Sequence, residues 1–168
     1  MIFKDLLDIE HDNAGNINLE KLISLLPSTP EDVIEQFYVD HGRKEEFQKQ
    51  YSDLNIGNIH WQERLLGFDK IRTLNVYPEF DNWVKTCKCR SKVVSANNDW
   101  SKIQNSLEIT SYWEQNHTWV RAPIVLEGIN SKLSLVEGHT RLGTLLGLVE
   151  SGMVNKCSQH KVWVGKCV

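Results

Sequence analysis

The sequence predicts an α+β fold in which a helical N-terminal portion packs on a small mixed β-sheet made by the C-terminal third. Three observations carry that expectation. The first half holds helix caps and stops, with apolar residues recurring at the three- and four-residue intervals of one helix face. From Pro123 onward the character changes to short β-type runs broken by glycine and asparagine. Finally, 168 residues that are 40% hydrophobic can bury one real core with an appended portion. The expected division is a helical extension over 1–75 and a core over 76–168.

Charge and cysteine content narrow the classes of function. With 19 basic and 22 acidic residues the net charge is −3, so no global field attracts a polyanion and any nucleic-acid contact has to be local. The first ten residues carry acids and lack a basic, then apolar, leader pattern. No apolar run approaches the roughly 18 residues that span a bilayer. The expectation is a soluble, cytoplasmic protein with no membrane partner. Cys87, Cys89, Cys157 and Cys167 are too sparse for a disulfide scaffold. The one-residue gap in Cys87-x-Cys89, with His160 as the further soft ligand near the later pair, disfavours zinc.

Asn18 before LEKLISLL, stopped by Pro27, marks a first helix. Thr29-Pro30-Glu31-Asp32 combines a cap residue, proline at the first helical position and two first-turn acids, which predicts a second. Val33, Ile34, Phe37 and Tyr38 lie on its inner face and Gly42 ends it. Phe47, Tyr51 and Leu54 repeat the spacing, and Leu65, Phe68 and Ile71 sketch a further helix. His41 beside Arg43 reads as a helix C-terminus favoured by the dipole.

After the turn at Pro78, residues Phe80, Trp83 and Val84 suit a short helix. The stretch Lys85 to Lys92, with cations Lys85, Lys88, Arg90 and Lys92, reads as a solvated loop, or alternatively as a local contact for a phosphate backbone. Asp99 is placed to cap a helix running from Trp100 toward Trp113. Pro123 to Leu126 and Leu133 to Val136 predict a hairpin across the turn Gly128-Ile129-Asn130-Ser131. Leu142, Leu145, Leu146 and Val149 keep helical spacing until Gly152, and Lys161 to Val164 is a closing strand.

The segment with chemistry is Glu137-Gly138-His139-Thr140-Arg141, where a strand passes through a glycine into a helix. Glycine there permits a positive φ and close approach of an anion to the amides that follow. Arg141 falls in the first helical turn, facing the positive dipole end, a conflict that an anion removes. Glu137 is placed to hold Mg²⁺ or act as a base, and Thr140 to cap the helix or to donate to a phosphate. The alternative is an ordinary Glu137–Arg141 salt bridge with Thr140 only a cap. Gly143 and Gly147, costly inside a helix, predict close approach of another backbone.

From Arg121 to Gly165 the chain resembles the ParB/sulfiredoxin-like superfamily: an apolar strand (APIVLEG), a second (LSLVE), a G-x-x-R turn (GHTR) opening a helix, and a final strand. The resemblance implies a sheet of ParB/sulfiredoxin type and a turn that binds nucleotide phosphates. The superfamily includes CTP-binding partition proteins, sulfiredoxin, an ADP-dependent serine kinase and proteins described as nucleases. Carried over, Gly138, His139, Thr140 and Arg141 form the phosphate-binding turn, with Arg141 the main cation. Glu137 stands for the acid of the kinase branch's D-G-H-H-R motif. His139 replaces the nucleophilic cysteine of sulfiredoxin, which excludes that chemistry. The partition-protein G-E-R-R form is not kept, since His139 and Thr140 replace Glu and Arg, and neither that family's arginine box nor its helix-turn-helix pattern is read in these residues, so chromosome partition is not expected.

The leading expectation is therefore a nucleotide-binding protein that hydrolyses or transfers a phosphoryl group with Mg²⁺. Glu137 and His139 are its catalytic candidates, and Glu137 its candidate metal contact. Two alternatives stand beside it. One is a nuclease or DNA-binding protein steered by Lys85, Lys88, Arg90 and Lys92. The other is a catalytically inactive domain that acts by contacting a protein, for which six tryptophans offer surface.

Overall fold

The computed structural model describes residues 1–12, 15–104, 106–128 and 130–167. Ile129, part of the predicted turn, lies outside the described residues. The architecture is α+β, with a four-stranded mixed sheet in the order β1-β4-β2-β3. Two compact units form, Met1–Gln62 with Val164–Val168, and Glu63–Trp163.

In the first unit a single 3₁₀ stretch, Phe3–Asp8, precedes α1 (Leu19–Leu25). The Asn18 side chain accepts from the Lys21 N–H at 3.0 Å, so the predicted cap forms. Next comes α2 (Glu31–Val33), which continues as a π-helix over Ile34–Val39. Pro30 is its N-cap rather than its first helical residue, because a ψ of 137° keeps it extended. Val33, Ile34, Phe37 and Tyr38 are fully buried, as their spacing predicts.

Gly42 ends this helix for reasons of space. A Cβ there would meet the Tyr38 carbonyl and stand 2.9 Å from both Ile17 and Leu6. Phe47 and Tyr51 of α3 (Glu45–Tyr51) complete an aromatic cluster in which Phe37 lies 5.0 Å from Phe3 and 5.3 Å from Tyr51. His41 stacks on Phe47 at 4.1 Å.

One predicted helix is a strand instead. β1 (Ile59–Gly67) runs through Leu65 and leaves it exposed, and only Phe68–Ile71 (α4) is helical. The reason is a period of two: Ile59 and Trp61 are buried while His60 and Gln62, which alternate with them, are not. Gly165 lets the chain cross the Trp61 ring, since a Cβ would lie 2.6 Å from it.

In the second unit α5 (Pro78–Lys92) carries proline at its first turn and runs unbroken through the basic stretch, which is a helix and not a loop. α6 (Val94–Asn97) then ends at Asn98 in the left-handed region. Asp99 does cap, at 3.1 Å to the Ser101 N–H, but only a 3₁₀ turn, Trp100–Lys102, follows. The helix expected from Trp100 is instead α7 (Leu107–Asn116), started by its own cap, Ser106. Serine competes there for the backbone, so a new helix begins.

β2 (Ile124–Glu127) and β3 (Leu133–Glu137) form the antiparallel hairpin, Val125 opposite Leu135 and Glu127 opposite Leu133. α8 (His139–Glu150) and β4 (Gln159–Cys167) complete the fold. α8 crosses α5 on its glycines. A Cβ on Gly143 would lie 2.5 Å from the Val84 carbonyl oxygen and 2.6 Å from Cys87 Cβ, and one on Gly147 would meet the Lys88 carbonyl. Among the described residues no helix is long and apolar enough to cross a membrane.

Candidate functional site

Every element around the Glu137–Arg141 turn belongs to the second unit. β3 delivers Glu137, and Gly138 then takes φ 108° and ψ 22° as the N-cap of α8. Only glycine suits this position for two reasons. The conformation is left-handed, and an added Cβ would lie 2.6 Å from Pro123 Cβ. The helix closes immediately, with the Leu142 N–H donating to the Gly138 carbonyl at 2.8 Å. Among the described residues no side chain caps it.

Thr140 is therefore not the cap. It sits inside the first turn, two residues past the capping position, and its Oγ1 accepts a hydrogen bond from Trp83 Nε1 at 2.9 Å. Arg141 is braced on two sides. Nη1 donates to the Arg121 carbonyl at 2.9 Å, and Nη2 donates to Glu137 Oε1 at 2.8 Å. Both side chains are largely buried, 18% and 25% exposed. The first-turn cation thus has its compensating anion within the chain, and the carboxylate sits where the helix dipole favours it. His139 is 6% exposed, with its ring 4.2 Å from Phe80 in a stacked arrangement.

The sequence-flagged cations lie on α5. Lys85 pairs with Asp81, and Lys88 and Lys92 both reach Glu150, while Arg90 lies over the Trp83 ring. Trp83 flanks the basic stretch in the sequence, but its contacts to Thr140 and Arg90 were not foreseen. Its signal was the seven-residue spacing to Arg90, two helical turns, legible only once the basic stretch is taken as helix.

Among the described residues no group of three or more His, Cys, Asp or Glu is placed to hold a metal ion. The cysteines are free thiols. Burial pushes the Cys87 thiol up. His160 does not approach a cysteine set. It is 1% exposed on β4, its Nδ1 is 2.9 Å from Thr118 Oγ1, and burial lowers it to about 4.

Compared with known proteins, the chain matches no family model, no curated protein and no solved structure.

Proposed function

We propose that the chain is a ParB-like nucleotide-binding protein whose phosphate site is the Glu137–Arg141 turn. One arrangement supports this reading above the others: α8 starts on a positive-φ glycine, bears no side-chain cap, and holds Arg141 rigidly in its first turn. A helix start of that kind offers backbone N–H groups and the positive dipole end to an anion. Bracing by Glu137 and the Arg121 carbonyl makes the guanidinium a preorganised charge.

Mg²⁺ would enter with the nucleotide, whose phosphates supply most of its oxygen ligands, and Glu137 offers it one carboxylate edge. Hydrolysis or transfer would ask Glu137 to leave its ion pair and His139 to reach a substrate oxygen from beneath Phe80. Binding without turnover asks for neither, so binding is the chemistry we put first. The test is calorimetric titration of ATP, ADP and CTP with Mg²⁺ into wild type and Arg141→Ala, with folding checked by circular dichroism. One nucleotide should bind and lose at least about tenfold in affinity in the variant, as loss of a charge-assisted phosphate contact predicts. Folded wild type that binds none of the three overturns the reading.

A second reading draws on the same ion pair. Because Glu137 and Arg141 satisfy each other, the turn also works as a structural brace of an inactive domain that acts through protein contact. A partner that binds Glu137→Ala and Arg141→Ala as well as wild type would favour it. Nucleic-acid binding has less support, since Lys85, Lys88 and Lys92 are all met by acids. It predicts affinity that falls steeply with salt.

A further inference from the structure

The cations of α5 are of two kinds. Lys85 is 2.5 Å from Asp81, and Lys88 and Lys92 are 2.6 and 2.5 Å from the two oxygens of Glu150. Arg90 differs. Among the described residues it has no carboxylate or hydrogen-bond partner. Its guanidinium lies 5.1 Å from the Trp83 ring centroid, and that indole is itself pinned by its Nε1 hydrogen bond to Thr140 at 2.9 Å. Stacking of this kind orients the planar fork while leaving its N–H donors for another acceptor.

Arg90 lines a cavity of about 610 Å³ together with Lys102, Gln104 and Leu107, and with Ser101 and Thr110. The volume lies within the range of small-ligand sites. The two hydroxyl protons are already used: Ser101 Oγ donates to Asp99 at 2.5 Å, and Thr110 Oγ1 to the Ser106 and Leu107 carbonyls at 3.1 Å each. Donors for a ligand are therefore Arg90 and the Gln104 amide, joined by Lys102 when an anion competes with Asp99 for its ammonium. Asp99 is the nearby acid, but it is turned to Ser101 and stands 3.3 Å from Lys102, a looser pair than those on α5. Residues bearing a guanidinium, an ammonium and an amide line one space. That set suits a compact, multiply charged oxyanion.

We propose that this cavity is an anion site separate from the α8 turn, which takes a phosphate group, either as the free ion or as a small phosphate monoester. It does not depend on nucleotide binding at Arg141. The test is titration of inorganic phosphate and of glycerol 3-phosphate into ¹⁵N-labelled protein at low ionic strength, followed by NMR. Saturable shifts are expected at the amides of Ser101, Lys102, Gln104 and Leu107. Arg90→Gln and Lys102→Gln, both at exposed positions, should each weaken binding about tenfold, the size of one charge-assisted contact. Trp83→Leu, which frees Arg90 without removing a charge, should weaken it severalfold, and Arg141→Ala should leave it unchanged. Tighter binding of the monoester identifies the ester as the source of the phosphate, and tighter binding of phosphate identifies the ion. The proposal is overturned if these amides show no saturable shift with either probe, or if Arg90→Gln binds as wild type does.

Discussion

Gly147→Ala separates a helix held by its own propensity from one held by a close crossing. In an open helix interior the change stabilises by about 1 kcal/mol, because alanine loses less backbone entropy on folding. In α8 the new methyl would run into the Lys88 carbonyl and stand 2.7 Å from Ser91 Cβ. Neither neighbour is the far end of a flexible side chain, so relief requires α5 and α8 to separate. Overpacking of this kind costs about 1–3 kcal/mol, and separation also loosens Leu142, Leu145 and Leu148, which are buried along the same helix. The clash outweighs the propensity gain, and a net loss of about 2 kcal/mol is expected. Gly143→Ala should cost a similar amount, and the double variant less than the sum, since the first separation makes room for the second methyl. Urea denaturation followed by circular dichroism and tryptophan fluorescence reads the loss as a lower midpoint at unchanged slope. A raised midpoint for Gly147→Ala would refute the crossing.

Burial holds the His160 imidazole at about 4, below its ordinary 6.5, so the folded state binds its proton less readily than the unfolded chain. Stability from this group is complete above about pH 6.5 and is lost as pH falls toward 4, at most about 3 kcal/mol at roughly 1.4 per pH unit. His160→Gln should flatten that part of the profile, and urea midpoints as steep in pH as those of wild type would contradict the assignment. Arg141→Ala removes the ion pair to a largely buried carboxylate and a donor to the Arg121 carbonyl, and should destabilise by about 1–3 kcal/mol, with Glu137→Gln costing less because an amide oxygen still accepts. The same urea assay decides between them, and equal losses would show that charge, not hydrogen bonding, holds the brace. Asn18→Ala removes the side chain that accepts from Lys21 and should cost about 1 kcal/mol; a change of a few tenths would mean that α1 does not depend on its cap.

Much of the fold was legible because it rests on signals local to the chain. Asn18, the buried quartet Val33, Ile34, Phe37 and Tyr38, the hairpin strands and α8 all follow from cap chemistry or from a period of two or 3.6 residues. The failures share a cause: two local readings competed and a distant partner chose. Leu65, Phe68 and Ile71 keep a helical interval, yet Ile59 and Trp61 alternate with His60 and Gln62, and pairing in the sheet favours the alternation. Lys85 to Lys92, with four cations in eight residues, reads as a solvated loop. As helix, the same residues find Asp81 one turn back and Glu150 on α8.

The turn shows the same division. From the sequence alone come its glycine, its strand-to-helix position, and the conflict of a cation at the start of a helix, since each depends on residues within a few positions. Whether Arg141 awaits an external anion or uses Glu137, whether Thr140 caps or receives Trp83, and whether His139 is exposed or lies beneath Phe80 are matters of distance between side chains. Tertiary structure alone decides them, because a charge or donor takes the nearest partner that packing leaves within reach. Here packing supplied Glu137 and the Arg121 carbonyl to Arg141, and among the described residues gave Arg90, on the neighbouring helix, a tryptophan ring and no acid.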